Sequence, residues 1–280
     1  MRIAVIGQGS IGKRHTQNLM SLGHRVVPID LGNGMDYDVS CAFICSPTEL
    51  HLEQAQDYID REIPVFIEKP LTYSLSNLIK FAAKNEGTNV PTMVGCNLRF
   101  HPAIRDAKDL IAKHKVIFAR AEFGYYLPFW RKGDYTKTYS AGVSGGIIID
   151  DIHEYDYLYH LFGDIDQLKI VYGKVTDLDI KCEDIAEAVI MFKNGVSASI
   201  HQDYICKNYH RELTLNFGHE TVKFKIHPTN LMYKKEVEYF IRCIDKNIKP
   251  MNDIVEAASV LRRVLEAKSC CNHSGKAYVN

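Results

Sequence analysis

Three glycines near the start of the chain have the spacing of a loop that binds pyrophosphate. The loop follows the apolar run Ile3–Ile6 and reads Gly7-Gln8-Gly9-Ser10-Ile11-Gly12. Between a strand and a helix, Gly7 permits a tight turn, Gly9 lets a pyrophosphate approach the backbone and Gly12 lets the helix pack close to the strand. The helix N-terminus then points free N–H groups at the phosphates. The motif predicts a dinucleotide site, and the alternative is a glycine turn in an unrelated α/β protein.

Asp30 stands where the adenosine ribose of such a dinucleotide would lie. It ends the second predicted strand, 23 residues after Gly7. A carboxylate there accepts hydrogen bonds from both ribose hydroxyls and would repel a 2′-phosphate, and the next residue, Leu31, is neither Arg nor Ser. NAD is therefore the predicted cofactor, with NADP as the second choice. The alternative is that Asp30 only caps the turn before Gly32.

The loop after the third predicted strand is a further candidate for the cofactor site. It reads Cys45-Ser46-Pro47-Thr48. On this kind of fold such a loop lies against the nicotinamide side of the dinucleotide. His51 follows one turn into the next helix, where it either hydrogen-bonds the loop or the cofactor, or is a surface histidine of the helix.

A lysine at the end of the fourth predicted strand supplies a positive charge. The strand runs into Glu68-Lys69-Pro70. Parallel strands end at one edge of a sheet, so the ammonium of Lys69 would lie where a nicotinamide ring lies. Together with the glycine loop, this indicates a protein that transfers a hydride. The alternative is that the Lys-Pro pair only marks the end of a strand.

A polar stripe marks one predicted helix, at about Ile147–Phe162. Its members are Asp150, His153, Asp156, Tyr157 and His160. They recur at intervals of three and four residues, as neighbours on one helix face do. Apolar residues flank the stripe, which indicates a largely buried helix, and buried titratable groups are candidates for catalysis. A solvent-exposed helix face would show the same polar spacing.

The segment between residues 125 and 140 combines aromatic and basic residues. It contains Trp130, the only tryptophan of the chain, beside Arg131. Aromatic rings stack on sugar faces, and arginine binds carboxylate or phosphate through two hydrogen bonds. We therefore expect Trp130 and Arg131 to contact an acidic or phosphorylated sugar, with Arg99 as a second candidate for the anion. The alternatives are a packed core loop and a contact between subunits.

The predicted elements place these residues in two domains. Residues 1–98 alternate apolar strands with amphipathic helices, which indicates a Rossmann-type parallel sheet covered on both faces. Residues 99–280 read mainly as successive strands joined by hairpin turns, followed by two helices, which indicates an α+β domain on a mostly antiparallel open sheet. The predicted fold class is α/β.

The composition excludes several classes of protein. The 34 basic and 34 acidic residues cancel, so nothing points to nucleic acid or an anionic membrane as a partner. No apolar run approaches the roughly 20 residues of a membrane span, and the N-terminus lacks the pattern of a signal peptide. The eight cysteines are scattered without metal-ligand spacing. We therefore expect a cytoplasmic protein with reduced thiols and no metal site.

Taken in order, these motifs resemble the glucose–fructose oxidoreductase / inositol dehydrogenase / rhizopine-catabolism (Gfo/Idh/MocA) family of NAD(P)-dependent oxidoreductases. The resemblance spans nearly the whole chain. The segments that carry it are the glycine loop, Ser46-Pro47-Thr48 with His51, Glu68-Lys69-Pro70, Gly95 with Asn97-Leu98-Arg99-Phe100, Gly145-Gly146 with Asp150, His153 and Asp156, and near the end Glu256-Ala257, Ala267 and Ser274-Gly275-Lys276.

The resemblance implies hydride transfer between a nicotinamide cofactor and a secondary hydroxyl or keto group of a sugar or sugar derivative. It places Lys69 against the nicotinamide and the substrate hydroxyl. His153, with an ordinary pKa of about 6.5, suits the base that takes the hydroxyl proton, and Asp150 or Asp156 orients the imidazole or binds a neighbouring hydroxyl. A structural role for His153 is the alternative.

The resemblance also bears on partners and substrates. The family implies a homodimer or homotetramer formed through the open face of the C-terminal sheet. Residues 125–140 and the helix after them are similar to members from surface-polysaccharide pathways, which suggests acidic or nucleotide-linked sugars. Two other functions stay open: an NAD-sensing regulatory protein without turnover, and an NAD-dependent glycosidase.

Two features depart from the family's pattern. The family's acidic residue stands four positions before the helix histidine, whereas Asp150 stands three before His153. Only about ten residues separate Asp30 from the strand predicted at Cys41–Cys45. We therefore expect the usual crossover helix to be shortened or missing, and the adenine pocket to be more open.

Overall fold

The computed structural model describes residues 1–30, 32–130 and 132–270. Their backbone forms two compact units. Unit 1 holds Met1–Phe100 and Thr229–Arg262, and unit 2 holds His101–Pro228 with the described residues from Arg263 onward. The division predicted at residue 98 differs from this one at Arg99 and Phe100 and in the segment Thr229–Arg262, all of which lie in unit 1.

The described residues contain eleven strands and nine α-helices. The strands are β1 Arg2–Ile6, β2 Arg25–Ile29, β3 Cys41–Ile44, β4 Val65–Glu68, β5 Thr92–Gly95, β6 Phe118–Gly124, β7 Ile165–Gly173, β8 Ile185–Phe192, β9 Ser197–Asp203, β10 His210–Asn216 and β11 Thr221–Lys225. The helices are α1 Ser10–Ser21, α2 Thr48–Ile59, α3 Leu75–Lys84, α4 Pro102–Ile111, α5 Leu127–Trp130, α6 Ile147–Asp150, α7 His153–Phe162, α8 Asn230–Lys246 and α9 Ile254–Cys270.

Unit 1 is built on a five-stranded parallel sheet in the order β2-β1-β3-β4-β5. Every residue of β3, β4 and β5 is buried, as continuous apolar strands predict. The rings of Phe43 and Phe66 stack at 4.7 Å, and Phe240 of α8 lies 5.8 Å from each. This aromatic contact joins α8 to unit 1. The predicted Rossmann-type sheet is therefore confirmed.

The connection between β2 and β3 is short, as predicted. Residues 30 and 32–40, its described part, contain turns and no helix. Arg2 holds this segment through Nη2, which lies 2.6 Å from Asp36 Oδ2, and the Tyr58 hydroxyl donates to the Asp36 carbonyl at 3.0 Å. The connection is therefore tied to β1 and α2 by side chains.

Unit 2 is built on a six-stranded sheet in the order β11-β10-β6-β9-β8-β7. Only the β6–β9 pair is parallel, and the other four neighbouring pairs are antiparallel. The prediction of a mostly antiparallel sheet is thus confirmed. Buried and exposed residues alternate along β8, because one face of the sheet packs against α6 and α7. The opposite face, called the open face below, carries exposed side chains.

The prediction of one helix over Ile147–Phe162 is wrong, because the helix breaks after Asp150. Asp151 has φ −118° and ψ 61°, and α7 begins after one further residue. The Asp151 carbonyl accepts a hydrogen bond from Gln202 Nε2 at 2.5 Å, and its carboxylate pairs with Arg211. These partners lie 51 and 60 residues later in the chain, so the local sequence carries no signal for the break.

The open face of the unit 2 sheet carries a histidine between two carboxylates. His201 Nδ1 lies 2.6 Å from Glu187 Oε1, and His201 Nε2 lies 3.0 Å from Asp203 Oδ2. The hydrogen bond with Asp203 raises the pKa of His201 from 6.5 to about 9, partial burial opposes the rise, and Glu187 adds to it. The folded protein therefore keeps a proton that the unfolded chain loses above pH 6.5.

We expect the stability gained from this proton to be complete below pH 6.5 and to be lost as the pH rises through about 9. The thermal midpoint of the wild type should therefore fall across this range, and His201→Gln should flatten the fall. Scanning calorimetry at one protein concentration makes the comparison. His219→Gln, at an exposed histidine in the β10–β11 turn, is the matched control and should keep the wild-type slope. An unchanged slope in His201→Gln would contradict the assigned proton.

Candidate active site

The glycine loop of unit 1 lies between β1 and α1, as predicted from the sequence. Gly7 has φ +90°, and a Cβ there would lie 2.6 Å from the backbone of Cys45. A Cβ at Gly12 would lie 1.8 Å from the Gly7 carbonyl oxygen. Gly9 differs from both, because it is exposed and nothing lies within 4 Å of its Cβ position. Two glycines therefore serve close packing, and the third leaves an open approach to the backbone.

The N-terminus of α1 is suited to an anion. Gly9 is its N-cap and provides no side-chain hydrogen bond, and no acidic residue stands in the first turn, which begins with Ser10 and Ile11. The first N–H groups of a helix have no partner within the helix, and they favour phosphate. This loop and helix end therefore fit the pyrophosphate of a dinucleotide.

Asp30 directly follows β2 and is exposed. The N–H of Gly7 donates to the carbonyl of Ile29 at 2.8 Å, which places the end of β2 beside the glycine loop. This is the arrangement in which a carboxylate meets the ribose of a bound dinucleotide. The neighbouring Leu31 lies outside the described residues.

His51 joins two loops through its ring nitrogens. Nδ1 lies 2.9 Å from the carbonyl oxygen of Pro70, and Nε2 lies 2.8 Å from that of Ser46. Burial lowers the pKa of His51, while both carbonyl contacts oppose that effect. Of the two readings left open for this residue, the structure supports contact with the loop, and the ring is not on the surface.

The loop that carries Ser46 is itself ordered by side-chain contacts. The Ser46 hydroxyl donates to Gln54 Oε1 at 2.6 Å. Cys45, Ser46 and Thr48 are buried, whereas Pro47 is exposed. The predicted cofactor-binding loop therefore presents little more than its backbone and Pro47 to solvent.

Lys69 follows a strand end that a buried hydrogen bond fixes. Glu68 closes β4, and its Oε1 lies 2.6 Å from Nε2 of His15, a fully buried residue of α1. Glu68 thus links β4 to α1. Lys69, the next residue, is partly exposed. His15 was not singled out in the sequence, although it stands between Gly12 and Leu19 on the buried face of α1.

In unit 2, two hydroxyl groups hold the carboxylate of Asp150. Ser140 and Tyr204 both donate to Oδ2, the latter at 3.1 Å. Asp150 itself is half-buried at the end of α6. Ser140 lies 10 residues before Asp150, whereas Tyr204 follows β9 and lies 54 residues after it. No local pattern in the sequence points to them.

His153 and Asp156 lie in the first turn of α7, and both are buried. Tyr157 of the same stripe is fully buried. The expectation of a largely buried helix is therefore confirmed for these residues. The helix break separates these residues from Asp150, which ends α6. Asp150 and His153 therefore do not lie on one face of a continuous helix.

The aromatic segment is partly packed within unit 2. Trp130 is 42% exposed, and its ring centroid lies 4.5 Å from that of Tyr125 and 6.0 Å from that of Tyr209, on which it stacks. The exposed part of the indole is available to a ligand. Arg131, predicted to contact substrate, lies outside the described residues.

Arg99 lies in unit 1 and is buried. Its Nη1 lies 2.6 Å from Oε1 of Glu256. A buried guanidinium that loses its carboxylate is costly. The pairing therefore gives Arg99 a structural role. Its positive charge, which was predicted to bind a substrate anion, pairs with Glu256 instead.

Metal clusters and membrane-spanning helices are both absent from the part of the chain that the structure describes. No group of three or more His, Cys, Asp and Glu side chains there could hold a metal ion. The seven described cysteines are free thiols, and Cys271 lies outside the described residues. No described helix is both long and apolar enough to cross a membrane.

Both parts of the chain match one protein family. Residues 29–96 match the family described as an oxidoreductase family with an NAD-binding Rossmann fold (GFO_IDH_MocA), and residues 104–229 match the GFO/IDH/MocA C-terminal domain. Together the two matches take in about two thirds of the 280 residues. The predicted cofactor, NAD, agrees with the description of the N-terminal match.

Individual relatives are dehydrogenases and oxidoreductases. The oxidoreductase YrbE of Bacillus subtilis is 28% identical over 235 residues, which are 70% of this chain and 65% of that protein. The scyllo-inositol 2-dehydrogenase (NAD(+)) of the same organism is 28% identical over 189 residues, 58% of this chain and 54% of the relative. The chain thus spans less than two thirds of the length of these two relatives.

Solved structures share the whole fold. The crystal structure of a probable dehydrogenase from Thermotoga maritima superposes with a TM-score of 0.84 over 97% of both chains, at 20% identity. At this identity the likeness shows the fold. It agrees with the predicted fold class for both parts of the chain.

Gly9→Ala should weaken NADH binding about tenfold or more, because the added methyl group takes the space through which a pyrophosphate reaches the backbone. Folding should be unaffected, since no atom lies within 4 Å of that position and Gly9 has φ −69°. Titration of NADH fluorescence gives the Kd, and thermal unfolding checks the fold. Gly173→Ala, where a methyl group would meet only Val175 at 3.9 Å, is the control in unit 2. Equal affinity of wild type and Gly9→Ala would place the pyrophosphate elsewhere.

Proposed function

Since the chain belongs to the GFO/IDH/MocA family of NAD-binding oxidoreductases, we propose that it oxidises a secondary hydroxyl group of a sugar or cyclic polyol. In the reverse direction it reduces the ketone. The observation that carries the proposal is the position of Lys69. It follows β4 at the carboxyl edge of the parallel sheet, where the glycine loop also lies, and open α/β sheets bind their ligands at this edge.

Lys69 is assigned the stabilisation of negative charge on the reacting oxygen. Bound NAD would supply the hydride acceptor, and the oxygen carries most negative charge once its proton has left and before departure of the hydride completes the C=O bond. A fixed ammonium stabilises that charge better than solvent does, since it needs no reorganisation during the reaction. The buried hydrogen bond between Glu68 and His15, at 2.6 Å, fixes the end of β4 that directly precedes Lys69.

His153 is assigned the proton transfer. A neutral imidazole takes the hydroxyl proton during oxidation, and the imidazolium returns it during reduction. Asp150, which already accepts hydrogen bonds from Ser140 and Tyr204, is assigned the binding of a neighbouring substrate hydroxyl. Asp156, one turn along α7, is assigned the orientation of the substrate or the imidazole.

Neutral cyclic polyols are the substrate class that we favour. The relative named scyllo-inositol 2-dehydrogenase supports this choice. Within the chain, Arg99 is paired with Glu256, which favours a neutral substrate over an acidic or nucleotide-linked one. Trp130, with 42% of its surface exposed, offers an apolar face on which a ring could stack.

Lys69→Met should lower kcat/KM by about a thousandfold, because it removes the positive charge at the reacting oxygen. His153→Asn should lower kcat/KM by about a hundredfold or more, because it removes the base. Both variants should bind NADH about as tightly as the wild type. NADH absorbance with inositols and aldoses gives the rates, and NADH fluorescence gives the Kd. Lys80→Met, at an exposed lysine of α3, is the control and should keep full activity.

Three outcomes would count against this assignment. Normal turnover of Lys69→Met would remove that residue from the mechanism. A wild type that binds NADH but oxidises no polyol or sugar would favour a regulatory protein that senses NAD. Cleavage of a glycosidic bond without net formation of NADH would favour an NAD-dependent glycosidase.

We also propose that the open face of the unit 2 sheet joins copies of the chain into a homodimer or homotetramer. Exposed apolar side chains lie on three strands of this face: Phe118 of β6 at 41%, Val171 of β7 at 74%, and Val189 and Met191 of β8 at 58% and 38%. Apolar side chains exposed together on one face mark candidate contacts with another protein chain. We therefore propose that a second copy of the chain covers these four side chains.

Val189→Glu should shift the protein toward monomer, because association would bury the new carboxylate. Sedimentation velocity over a range of concentrations measures the shift, and NADH binding in unit 1 should persist. Val255→Glu, at an exposed valine of α9, is the matched control and should leave the association unchanged. A wild type that sediments as a monomer at all concentrations would overturn the proposed interface.

A further inference from the structure

One row of the unit 2 sheet is polar on the face that packs against α6 and α7. The register places Gln202 of β9, Phe123 of β6 and Arg211 of β10 side by side. The other inward positions on these strands are small or apolar, as a buried face requires. They are Ala119, Ala121, Ala198, Ile200, Leu213 and Leu215. A buried glutamine and a buried arginine in this row therefore need a specific reason.

The guanidinium of Arg211 joins residues on the two sides of the helix break. It pairs with the carboxylate of Asp151, just after α6, and its Nε lies 3.0 Å from Oε1 of Glu154, in the first turn of α7. Its Cζ lies 3.6 Å from the ring centroid of Phe123, within the range of a cation–π contact. The contact with Glu154 lies outside hydrogen-bond geometry, so Glu154 is an ionisable neighbour of Arg211 and not an acceptor.

Gln202 reaches the same two residues. Its Nε2 donates to the Asp151 carbonyl at 2.5 Å and lies 3.3 Å from Oε2 of Glu154. Both Gln202 and Glu154 are fully buried. The break between α6 and α7 is thus set by two side chains of the sheet.

We propose that Arg211 is a positioning residue: by tying Asp151 to Glu154, it fixes the ends of α6 and α7 that present Asp150 and His153. The inference rests on the proposed function, because it takes His153 as the proton-transfer group. In the chain, Asp150 directly precedes one residue held by Arg211, and His153 directly precedes the other. A shift of either anchor therefore moves a neighbouring group of the site.

The charges of this cluster support the assignment. Burial raises the pKa of Glu154 to about 8; Arg211 lowers it and Asp151 raises it further. Loss of the guanidinium would remove the positive charge that pairs with the Asp151 carboxylate, two residues before His153. Removal of a nearby positive charge favours the imidazolium and raises the pKa of His153.

The test compares variants of the full-length protein. Arg211→Met removes the charge, and Arg211→Lys keeps it while losing the planar fork that reaches two carboxylates. The triple variant Arg211→Met, Asp151→Asn, Glu154→Gln removes the buried charges together, so that a fold lost in Arg211→Met is recovered. Arg105→Met, at an exposed arginine of α4, is the matched control.

Three quantities are measured for each variant. NADH fluorescence gives the Kd and shows that unit 1 is folded. Turnover with scyllo-inositol gives kcat and KM separately. The titration of His153 is followed by NMR on protein with ¹³C-labelled histidine, and the His153→Asn variant identifies its signal.

We expect Arg211→Met to lower kcat about a hundredfold with unchanged NADH Kd, and to raise the pKa of His153 by about half a unit or more. Arg211→Lys should lower kcat about tenfold. The triple variant should keep the low kcat although its buried charges are gone, because Met, Asn and Gln do not rebuild the tie. Arg105→Met should match the wild type in all three measurements.

Two results would overturn the inference. One is a triple variant that recovers the wild-type kcat, since this would mean that Arg211 only compensates buried charge. The other is a His153 titration that is the same in wild type and Arg211→Met. A wild type without turnover on any polyol would count against the proposed function alone, because the titration of His153 still decides the role of Arg211.

Discussion

The hydrogen bond between His15 and Glu68 is the contact that fixes the predicted cofactor-binding elements of unit 1. His15 stands on α1 within one turn of the glycine loop, and Glu68 directly precedes Lys69, so one bond of 2.6 Å across 53 residues fixes both. Both side chains are buried, and a buried polar group that loses its partner is costly. His51 adds a second tie, from the loop after β3 to the carbonyl of Pro70.

In unit 2, as in unit 1, the residues assigned to chemistry differ from the residues that fix their position. The side chains assigned to chemistry stand at the ends of helices, and their sequence neighbours are anchored in the interior. Lys69 follows the buried Glu68, and His153 precedes the fully buried Glu154. Lys69 is partly exposed, whereas His153 is itself buried. Each takes its position from an adjacent buried residue that has few alternative positions.

Local patterns in the sequence were sufficient for most of the elements and for the chemically distinctive residues. The runs Ile3–Ile6 and Cys41–Cys45 predicted β1 and β3 to within one residue, and the glycine spacing predicted the loop before α1. The helix break at Asp151, the hydrogen bond from Tyr204 to Asp150 and the return of α8 to unit 1 were not predictable. Each depends on a partner far away in the chain. Arg211 had a local signal, since it alternates with Leu213 and Leu215 in β10.

The short connection between β2 and β3 has a kinetic consequence. Its described residues, 30 and 32–40, form no helix that would cover the adenosine end of a dinucleotide. Fewer contacts at one end speed dissociation more than they slow association. A dinucleotide held mainly at its pyrophosphate would have a short residence time and exchange with the pool at every catalytic cycle. The direction of the reaction would then follow the ratio of oxidised to reduced dinucleotide in the surrounding solution.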